Sequence, residues 1–200
     1  MLSPIPQLKA GGYGPYAGYA DSTHSDTRHP TPDTRHPTPD GQNTIHPVTE
    51  KSIQETYAPQ NRCFGCGPAN DKGLRIRSFR EGDDFVCDWT PEPHHAAFDN
   101  VLNGGIIGAL LDCHSNWAAT IVLMERNGSS TPPCTVTSDF HVFLKRPTPM
   151  APLRIRAHVV EASDDRAIVE ASIESNGKIT DTCRGTFVAV KEGHPAYHRW

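Results

Sequence analysis

The chain has 200 residues, 36% of them hydrophobic, and a formal net charge of -4 at pH 7. Neither sign of charge dominates, so we expect no nucleic-acid partner. No run approaches the about 20 apolar residues that cross a bilayer, and the start, MLSPIPQLKAGG, lacks the layout of a secretory signal. These features predict a cytoplasmic protein without a membrane partner.

A disordered tail rich in Pro, His and Thr is predicted for residues 1–58. Residues 11–44 contain no Leu, Ile, Val, Met, Phe or Trp, so they have little apolar surface to offset the entropy cost of ordering. The heptapeptide DTRHPTP occurs twice in tandem, at residues 26–32 and 33–39, and its prolines disfavour helix and central strand alike. The remainder, residues 59–200, is long enough for one domain with its own core.

Cys63 and Cys66, in the sequence CFGCG, have the spacing of a metal or redox pair. A structural zinc site needs four ligands, and no second CxxC or paired-His motif accompanies them. The sequence therefore favours small residues buried in a turn, and we expect no metal and no cofactor. The other cysteines are scattered singly, which predicts free thiols rather than a disulfide framework: Cys87, Cys113, Cys134 and Cys183.

Strand patterns flank one long helical segment. GLRIRSF, residues 73–79, and DDFVCDW, residues 83–89, surround a Glu81-Gly82 turn signal and predict a hairpin. After the helix, short turn-forming connections separate four strand segments, which favours antiparallel neighbours: residues 135–146, 153–162, 166–175 and 178–190. Alternation in these segments predicts a sheet with one buried face, which the helix must cover.

The helical segment, residues 100–123, carries Asp112 as its only formally charged side chain. Apolar residues recur at helical spacing, and the other side is a stripe of small residues that includes Gly105, Gly108 and Ala109. A helix without a charged face is expected to be buried on most sides. Asp112 is then either a structural group, hydrogen-bonded or at a narrow solvent-exposed edge of the helix, or a functional carboxylate.

Gly104 and Gly105 stand at the start of this helix. Their backbone N–H groups suit a carbonyl oxygen that becomes an anion, whereas the structural alternative is a tight turn or close contact with a strand. Gly104 and Asp112 are eight residues apart, or about 12 Å along a helix. Both cannot touch one carbonyl, so a shared reaction would require a site between two protomers related by two-fold symmetry.

Three segments together resemble hotdog-fold thioesterases of the phenylacetate-degradation (PaaI-like) type, which act on acyl-CoA: NRCFGCGPANDKGLRIRSF, NGGIIGALLDCHSNWAA and TVTSDFHVFLKRPTP. The resemblance implies an α+β hotdog fold, in which a curved antiparallel sheet of about five or six strands wraps round one long central helix. It also implies a homodimer or homotetramer with active sites at the interface, and hydrolysis of an acyl-CoA thioester to free acid and CoA.

The resemblance assigns roles to four positions. It implies that Asp112 is the nucleophile or general base, that Gly104 and Gly105 form the oxyanion hole, and that Thr137 helps to position the attacking water. Thr is also at home in any strand. Asn103 departs from the His that many relatives carry; its amide can hydrogen-bond the substrate carbonyl or fix the loop, but it cannot transfer a proton near neutral pH.

Three further residues are candidates for substrate binding. His95 either replaces the missing His or is an exposed loop residue, and Lys145 and Arg146 either meet the CoA phosphates or are solvated charges. A non-catalytic module that binds acyl-CoA or an acyl carrier is the alternative function. A hotdog hydratase or dehydratase is a third, although the chain has no His-plus-carboxylate motif of the kind those enzymes carry.

Overall fold

A six-stranded antiparallel sheet and one long helix form the body of the molecule, in a computed structural model that describes residues 50–197. The helices are α1 (Ile53–Tyr57) and α2 (Gly104–Arg126). The strands are β1 (Phe79–Glu81), β2 (Asp84–Trp89), β3 (Ala96–Phe98), β4 (Val101–Leu102), β5 (Thr135–Leu144), β6 (Leu153–Ala162), β7 (Arg166–Ser175) and β8 (Lys178–Ala189). The tandem repeat and the other residues of 1–49 lie outside the described residues.

The main sheet has the strand order β1-β2-β6-β7-β8-β5, so β1 and β5 are its edges. Every neighbouring pair is antiparallel. Strands β6 and β7 have the predicted bounds, while β5 and β8 end slightly earlier. The predicted alternation is confirmed, because one set of alternate side chains is buried under the helix: Leu153, Ile155, Ala157, Ala167, Val169, Ala171 and Ile173. The α+β class and the six strands agree with the prediction.

The predicted first hairpin is present, but its first strand is shorter than expected. Only Phe79–Glu81 pairs with β2, through a turn in which Gly82 has a positive φ of 61°. Leu74 and Ile76 are buried as the alternation predicts, yet their N–H groups donate to Phe64 O and Gly65 O. Arg75 between them has φ 53°, which interrupts the strand geometry. This segment therefore anchors the cysteine loop instead of extending the sheet.

The long helix begins at Gly104, not at Asn100 as predicted. Residues 96–102 instead form the small β3–β4 hairpin, in which Asn100 adopts φ 58°. Asn tolerates this left-handed conformation better than most residues, so it acts as a turn residue here. The helix also extends beyond the predicted end, to Arg126.

α2 meets the length and mean hydropathy of a membrane-crossing helix, although no such run was expected from the sequence. It is the one helix among residues 50–197 that does so. In the fold, 67% of its most apolar 18-residue stretch is buried. The helix packs against the inner faces of the sheet strands. Its apolar composition therefore matches its position as the core helix.

Helix α1 lies within residues assigned above to the disordered tail, so the predicted boundary at residue 58 is too late. Ser52 forms a capping box with Glu55, whose carboxylate also pairs with Arg77. Ser52 and Gln54 are fully buried. A short polar helix of this kind has no apolar periodicity, so only its tertiary contacts reveal it.

A buried hydrogen-bond chain connects α1 to α2. Gln54 Nε2 donates to Ser78 Oγ at 2.8 Å, and Ser78 Oγ lies 2.8 Å from His114 Nδ1. His114 Nε2 is 3.1 Å from the carbonyl oxygen of Phe85, an acceptor, so Nε2 carries the proton and Nδ1 accepts from Ser78. Burial lowers the pKa of His114 from 6.5 to about 4, because a charged imidazolium would lose its hydration.

This pKa predicts that acid weakens the fold before the carboxylates titrate. Above pH 6.5 His114 is neutral in both states; as the pH falls from 6.5 toward 4, the unfolded chain binds a proton that the folded chain does not. Through this residue, the free energy of unfolding should fall by about 2 kcal/mol between pH 7.5 and pH 5. Urea unfolding of the wild type and His114→Gln at both pH values measures it. An equal pH dependence in the two proteins would contradict the prediction.

Candidate functional site

Asp112 and Thr137 meet between α2 and the edge strand β5. Thr137 Oγ1 donates a hydrogen bond of 2.7 Å to Asp112 Oδ1. The register of β5 against β8 shifts between Thr137 and Asp139, and such a bulge re-aims the side chain beside it. Asp112 is partly buried and Thr137 is exposed. The structure therefore joins these two predicted residues in a pair that solvent can reach.

Asn103 is the N-cap of α2. Its side-chain Oδ1 accepts from the N–H of Gly105 at 2.8 Å and from the N–H of Ile106 at 3.4 Å. The Gly105 N–H, one of the two predicted oxyanion donors, is therefore already hydrogen-bonded. For the Gly104 N–H, no acceptor is present among residues 50–197. A Cβ at Gly104 would lie 3.4 Å from Leu144 Cδ1, so the end of β5 lies against the helix start.

The small-residue stripe of α2 is open only in its first half. Gly105 is exposed, and Gly108, Ala109 and Asp112 are partly exposed. A Cβ added at Gly108 would meet nothing within 4 Å. From residue 114 to residue 121 the helix is buried throughout. Asp112 thus lies where the buried part of the helix gives way to an uncovered surface.

His95 is a buried residue of the loop before β3, not an exposed one. Its Nδ1 accepts from the N–H of Glu92 at 2.9 Å, and its ring centroid is 5.1 Å from that of Trp89. Burial, together with the charge of His94, lowers its pKa. The backbone oxygen of His95 accepts from the N–H of Asn103. These contacts give His95 a part in shaping the loop before α2.

Lys145 and Arg146 follow directly after β5, and both are exposed. Their backbone N–H groups both donate to Thr180 O, at 3.0 and 3.2 Å. Because Leu144 lies against Gly104, the two basic residues begin at the same end of the molecule as the start of α2. Their position is compatible with the predicted phosphate contact.

Three cysteines form a cluster beside Asp112 that was not predicted from the sequence. The Sγ atoms of Cys63, Cys66 and Cys113 all lie within 4.8 Å of one another. The cysteine loop, residues 61–67, reaches α2 closely: a Cβ at Gly65 would lie 2.3 Å from Cys113 Sγ. All six cysteines of the chain are described, and all are free. The CxxC spacing gave a signal for two of them, but nothing in the sequence linked Cys113 to that pair.

This cluster and the Asp112–Thr137 pair line one pocket of about 120 Å³, together with Asn61, Asn116 and Trp117. The hydrogen bond from Cys113, followed by that from Cys66, lowers the pKa of Cys63, and burial only partly opposes them. The pKa of Cys113 is raised, because it donates to Cys63 and is itself buried. Cys63 is therefore the thiol of the cluster that ionises first.

A larger cavity, of about 720 Å³, lies at the other end of α2. Its lining includes Met124, Asn127 and Cys134, and none of the predicted site residues. The larger volume of this cavity is therefore no evidence by itself that it is the functional site.

Several solved structures that are similar to this chain are described as thioesterases or thioesterase-superfamily proteins. One from Shewanella loihica PV-4 is 22% identical, with 62% of this chain and 98% of that chain covered and a TM-score of 0.51. A thioesterase from Haemophilus influenzae is 19% identical, with 60% and 84% covered and a TM-score of 0.52. A protein from Ralstonia eutropha JMP134, described as related to phenylacetic acid degradation, is 19% identical. The match covers 62% of this chain and 92% of that chain, with a TM-score of 0.52.

The chain has the hotdog fold. The fold predicted from the resemblance is therefore confirmed, and the similar structures include a protein related to phenylacetic acid degradation. No protein-family model and no curated protein sequence matches the chain. The structural similarity establishes the hotdog fold alone, because the identities are near 20%, and the chemistry has to be argued from the site itself.

The N-cap predicts a measurable role for Asn103. Asn103→Ala removes the acceptor of the Gly105 N–H and should lower the free energy of unfolding by about 1 kcal/mol. Asn103→Asp keeps an acceptor oxygen at the same place and should retain most of this stability. Urea unfolding at neutral pH compares the three proteins. Equal stability of the Ala variant and the wild type would show that the cap contributes nothing.

Proposed function

We propose that the protein hydrolyses an acyl-CoA thioester to a free acid and CoA, in the cytoplasm. The observation that carries this proposal is the 2.7 Å hydrogen bond from Thr137 Oγ1 to Asp112 Oδ1 beside the pocket. A carboxylate held in one orientation and reachable from solvent is suited to activate water or to attack a carbonyl. The hotdog fold shared with thioesterases supports the reaction class.

In the reaction, water or Asp112 itself attacks the thioester carbonyl carbon. If water attacks, Asp112 accepts its proton, the carbonyl oxygen becomes an oxyanion, and collapse of this intermediate expels the CoA thiolate, which takes up a proton. If Asp112 attacks, the C–S bond breaks, the CoA thiolate leaves and takes up a proton, and an acyl-aspartyl anhydride forms; water then hydrolyses it to the free acid and regenerates Asp112. In both routes Thr137 holds the carboxylate and the incoming water in place.

The oxyanion donor is the N–H of Gly104, at the positive end of α2. The Gly105 N–H already donates to Asn103 Oδ1, so only one N–H of the predicted glycine pair remains to bind the oxyanion. Gly104 and Asp112 of one chain are separated by about 12 Å of helix. The Gly104 of one protomer therefore works with the Asp112 of another, which makes the enzyme a homodimer or a dimer of dimers.

The uncovered half of the stripe and the edge strand β5 form the proposed dimer surface. Phe143 and Leu144 on β5 are each 58% exposed, and β5 has no neighbour on its outer side among the described residues. Exposed edges with large apolar side chains are sites where a second chain adds. The pocket of about 120 Å³ is also smaller than the about 300 Å³ of typical ligand sites, so a second protomer would complete it.

Lys145 and Arg146 are the proposed contacts for the CoA phosphates. Both are exposed and lie at the end of β5, next to the start of α2. Positive side chains at this position would hold the nucleotide end of the substrate outside the pocket while the thioester enters it.

Activity of Asp112 and Thr137 variants tests the proposal. Asp112→Asn keeps the shape but cannot accept a proton or attack, so turnover should fall about 10²- to 10⁴-fold. Thr137→Val removes the hydroxyl and should reduce turnover, whereas Thr137→Ser keeps the hydroxyl and should retain most of it. Loss of thioester absorbance and chromatography of the acid product measure turnover of short, medium, long and aryl acyl-CoAs.

A matched circular-dichroism spectrum confirms that each variant is folded. Thiol reagents are unsuitable for this assay because the protein has six free cysteines. Turnover by Asp112→Asn at the wild-type rate would remove the proposed role of the carboxylate.

A non-catalytic module that binds acyl-CoA or an acyl carrier is the second candidate. The observation in its favour is the Asn103 cap, which occupies one of the two expected oxyanion donors and supplies no proton. Saturable binding of acyl-CoA without release of acid, in the wild type, would select this function. Hydration of an enoyl-CoA would instead identify the hydratase chemistry considered from the sequence.

The dimer surface predicts the effect of a charge on β5. Phe143→Asp places a carboxylate in the proposed interface and should shift the protein toward monomer and lower turnover with it. Val160→Asp is the control, since Val160 is 41% exposed on β6, away from the sheet edges. Light scattering coupled to size-exclusion chromatography measures the mass. A wild-type protein that is monomeric at assay concentration and fully active would rule out the shared site.

A further inference from the structure

We propose that Cys63, Cys66 and Cys113 form a site for a thiophilic metal ion, with Zn²⁺ as the best match and a solvent molecule as the fourth ligand. The inference stands apart from the proposed thioesterase activity. It reverses the expectation from the sequence that no metal is bound, because the third sulfur comes from α2, 50 residues away from Cys63.

The sulfur spacing fits a tetrahedral ion. A Zn–S bond is about 2.3 Å long, so two thiolates of a tetrahedral site lie about 3.8 Å apart. The Sγ atoms of Cys63 and Cys113 are 3.8 Å apart, and Cys66 Sγ is within 4.8 Å of both. Small side-chain rotations would bring all three to bonding distance.

The loop that carries two of these sulfurs is fixed by its backbone. The N–H of Cys63 donates to Asn61 Oδ1 at 2.9 Å, and the N–H of Gly67 donates to Cys63 O at 3.0 Å. A Cβ at Gly67 would lie 2.5 Å from Cys63 N, so only glycine fits this turn. The site is thus preorganised from one side by this loop and from the other by α2.

One of the sulfurs also has an N–H donor of the kind that accompanies metal thiolates. Trp117 Nε1 donates to Cys66 Sγ at 3.2 Å. Such outer contacts orient ligating groups and stabilise their negative charge. Thiols that only fill a core need no donors, and Cys63 is exposed rather than buried.

The donor set selects the class of ion. Thiolates prefer Zn²⁺ and other soft or borderline ions over Mg²⁺ and Ca²⁺. No fourth His, Cys, Asp or Glu completes the cluster within the part of the chain that the structure describes. A solvent molecule from the pocket would therefore be the fourth ligand, because the three cysteines line this pocket together with Asn61 and Asp112. A disulfide would use two sulfurs and leave the third without a function.

Cobalt substitution tests the site with the full chain, reduced and freed of metal. About one Co²⁺ per chain should bind with a strong thiolate-to-cobalt charge-transfer band and the visible bands of a tetrahedral ion, and Zn²⁺ should abolish both. Histidines of the N-terminal segment bind through nitrogen and cannot give the sulfur band. Elemental analysis of the protein as purified should show zinc.

Matched variants locate the ligands. Cys63→Ser and Cys113→Ser should lose the sulfur band, and Cys134→Ser, a buried cysteine outside the cluster, should keep it. Trp117→Phe removes one N–H donor and should weaken Co²⁺ binding about 10- to 100-fold. Circular dichroism verifies that each variant is folded, and Cys63 is exposed, so its substitution spares the core.

Three outcomes would overturn the proposal. The first is Co²⁺ binding by the reduced protein without a sulfur band. The second is a band that persists unchanged in folded Cys63→Ser. The third is a reduced protein that takes up no metal and forms a Cys63–Cys113 or Cys63–Cys66 disulfide on exposure to peroxide, which would make the cluster a redox pair.

Discussion

The rest of the structure depends on the burial of the second half of α2, which packs against the sheet. A buried polar group without a hydrogen bond costs about 1–3 kcal/mol, so each one on this helix needs a protein partner. His114 forms hydrogen bonds with Ser78 and with the carbonyl oxygen of Phe85, on the side of the helix that faces β1 and β2. Asn116 accepts from Thr135 on β5 at 2.7 Å. These pairs fix the rotation of α2 between the two edges of the sheet.

The position of the proposed site follows from this rotation. With Asn116 held against Thr135, Asp112 lies one helical turn earlier and meets Thr137, two residues further along β5. The same face of α2 continues toward Gly108 and Gly105, where nothing in the described chain covers it. Along one helix face, structural hydrogen bonds are thus followed by the proposed catalytic carboxylate and then by an uncovered surface.

The sequence predicted the elements whose patterns are periodic and missed features that depend on distant contacts. Strands β6 and β7 and the body of α2 follow from alternation and helical spacing, because burial imposes those periods. Residues 74–78 have the strand pattern, but Arg75 has φ 53°, and the N–H groups of Leu74 and Ile76 on either side of it donate to the cysteine loop. Asp112 and Thr137 were predicted individually from the resemblance. Cys113 was missed because a single, partly buried cysteine carries no periodic or spacing signal.

Separate local contacts stabilise the two ends of the open stripe of small residues on α2. At one end Asn103 caps α2 and fixes the Gly104–Gly105 turn with a side chain from the same helix start. At the other end the cysteine loop lies on Cys113, next to Asp112, and a bound metal would hold it there. Neither set of contacts requires the other, so each of the two proposed half-sites is held by its own contacts. Half-sites of this kind are suited to a reaction in which the oxyanion donor and the carboxylate come from different protomers, because dimerisation then has only to align two preformed surfaces.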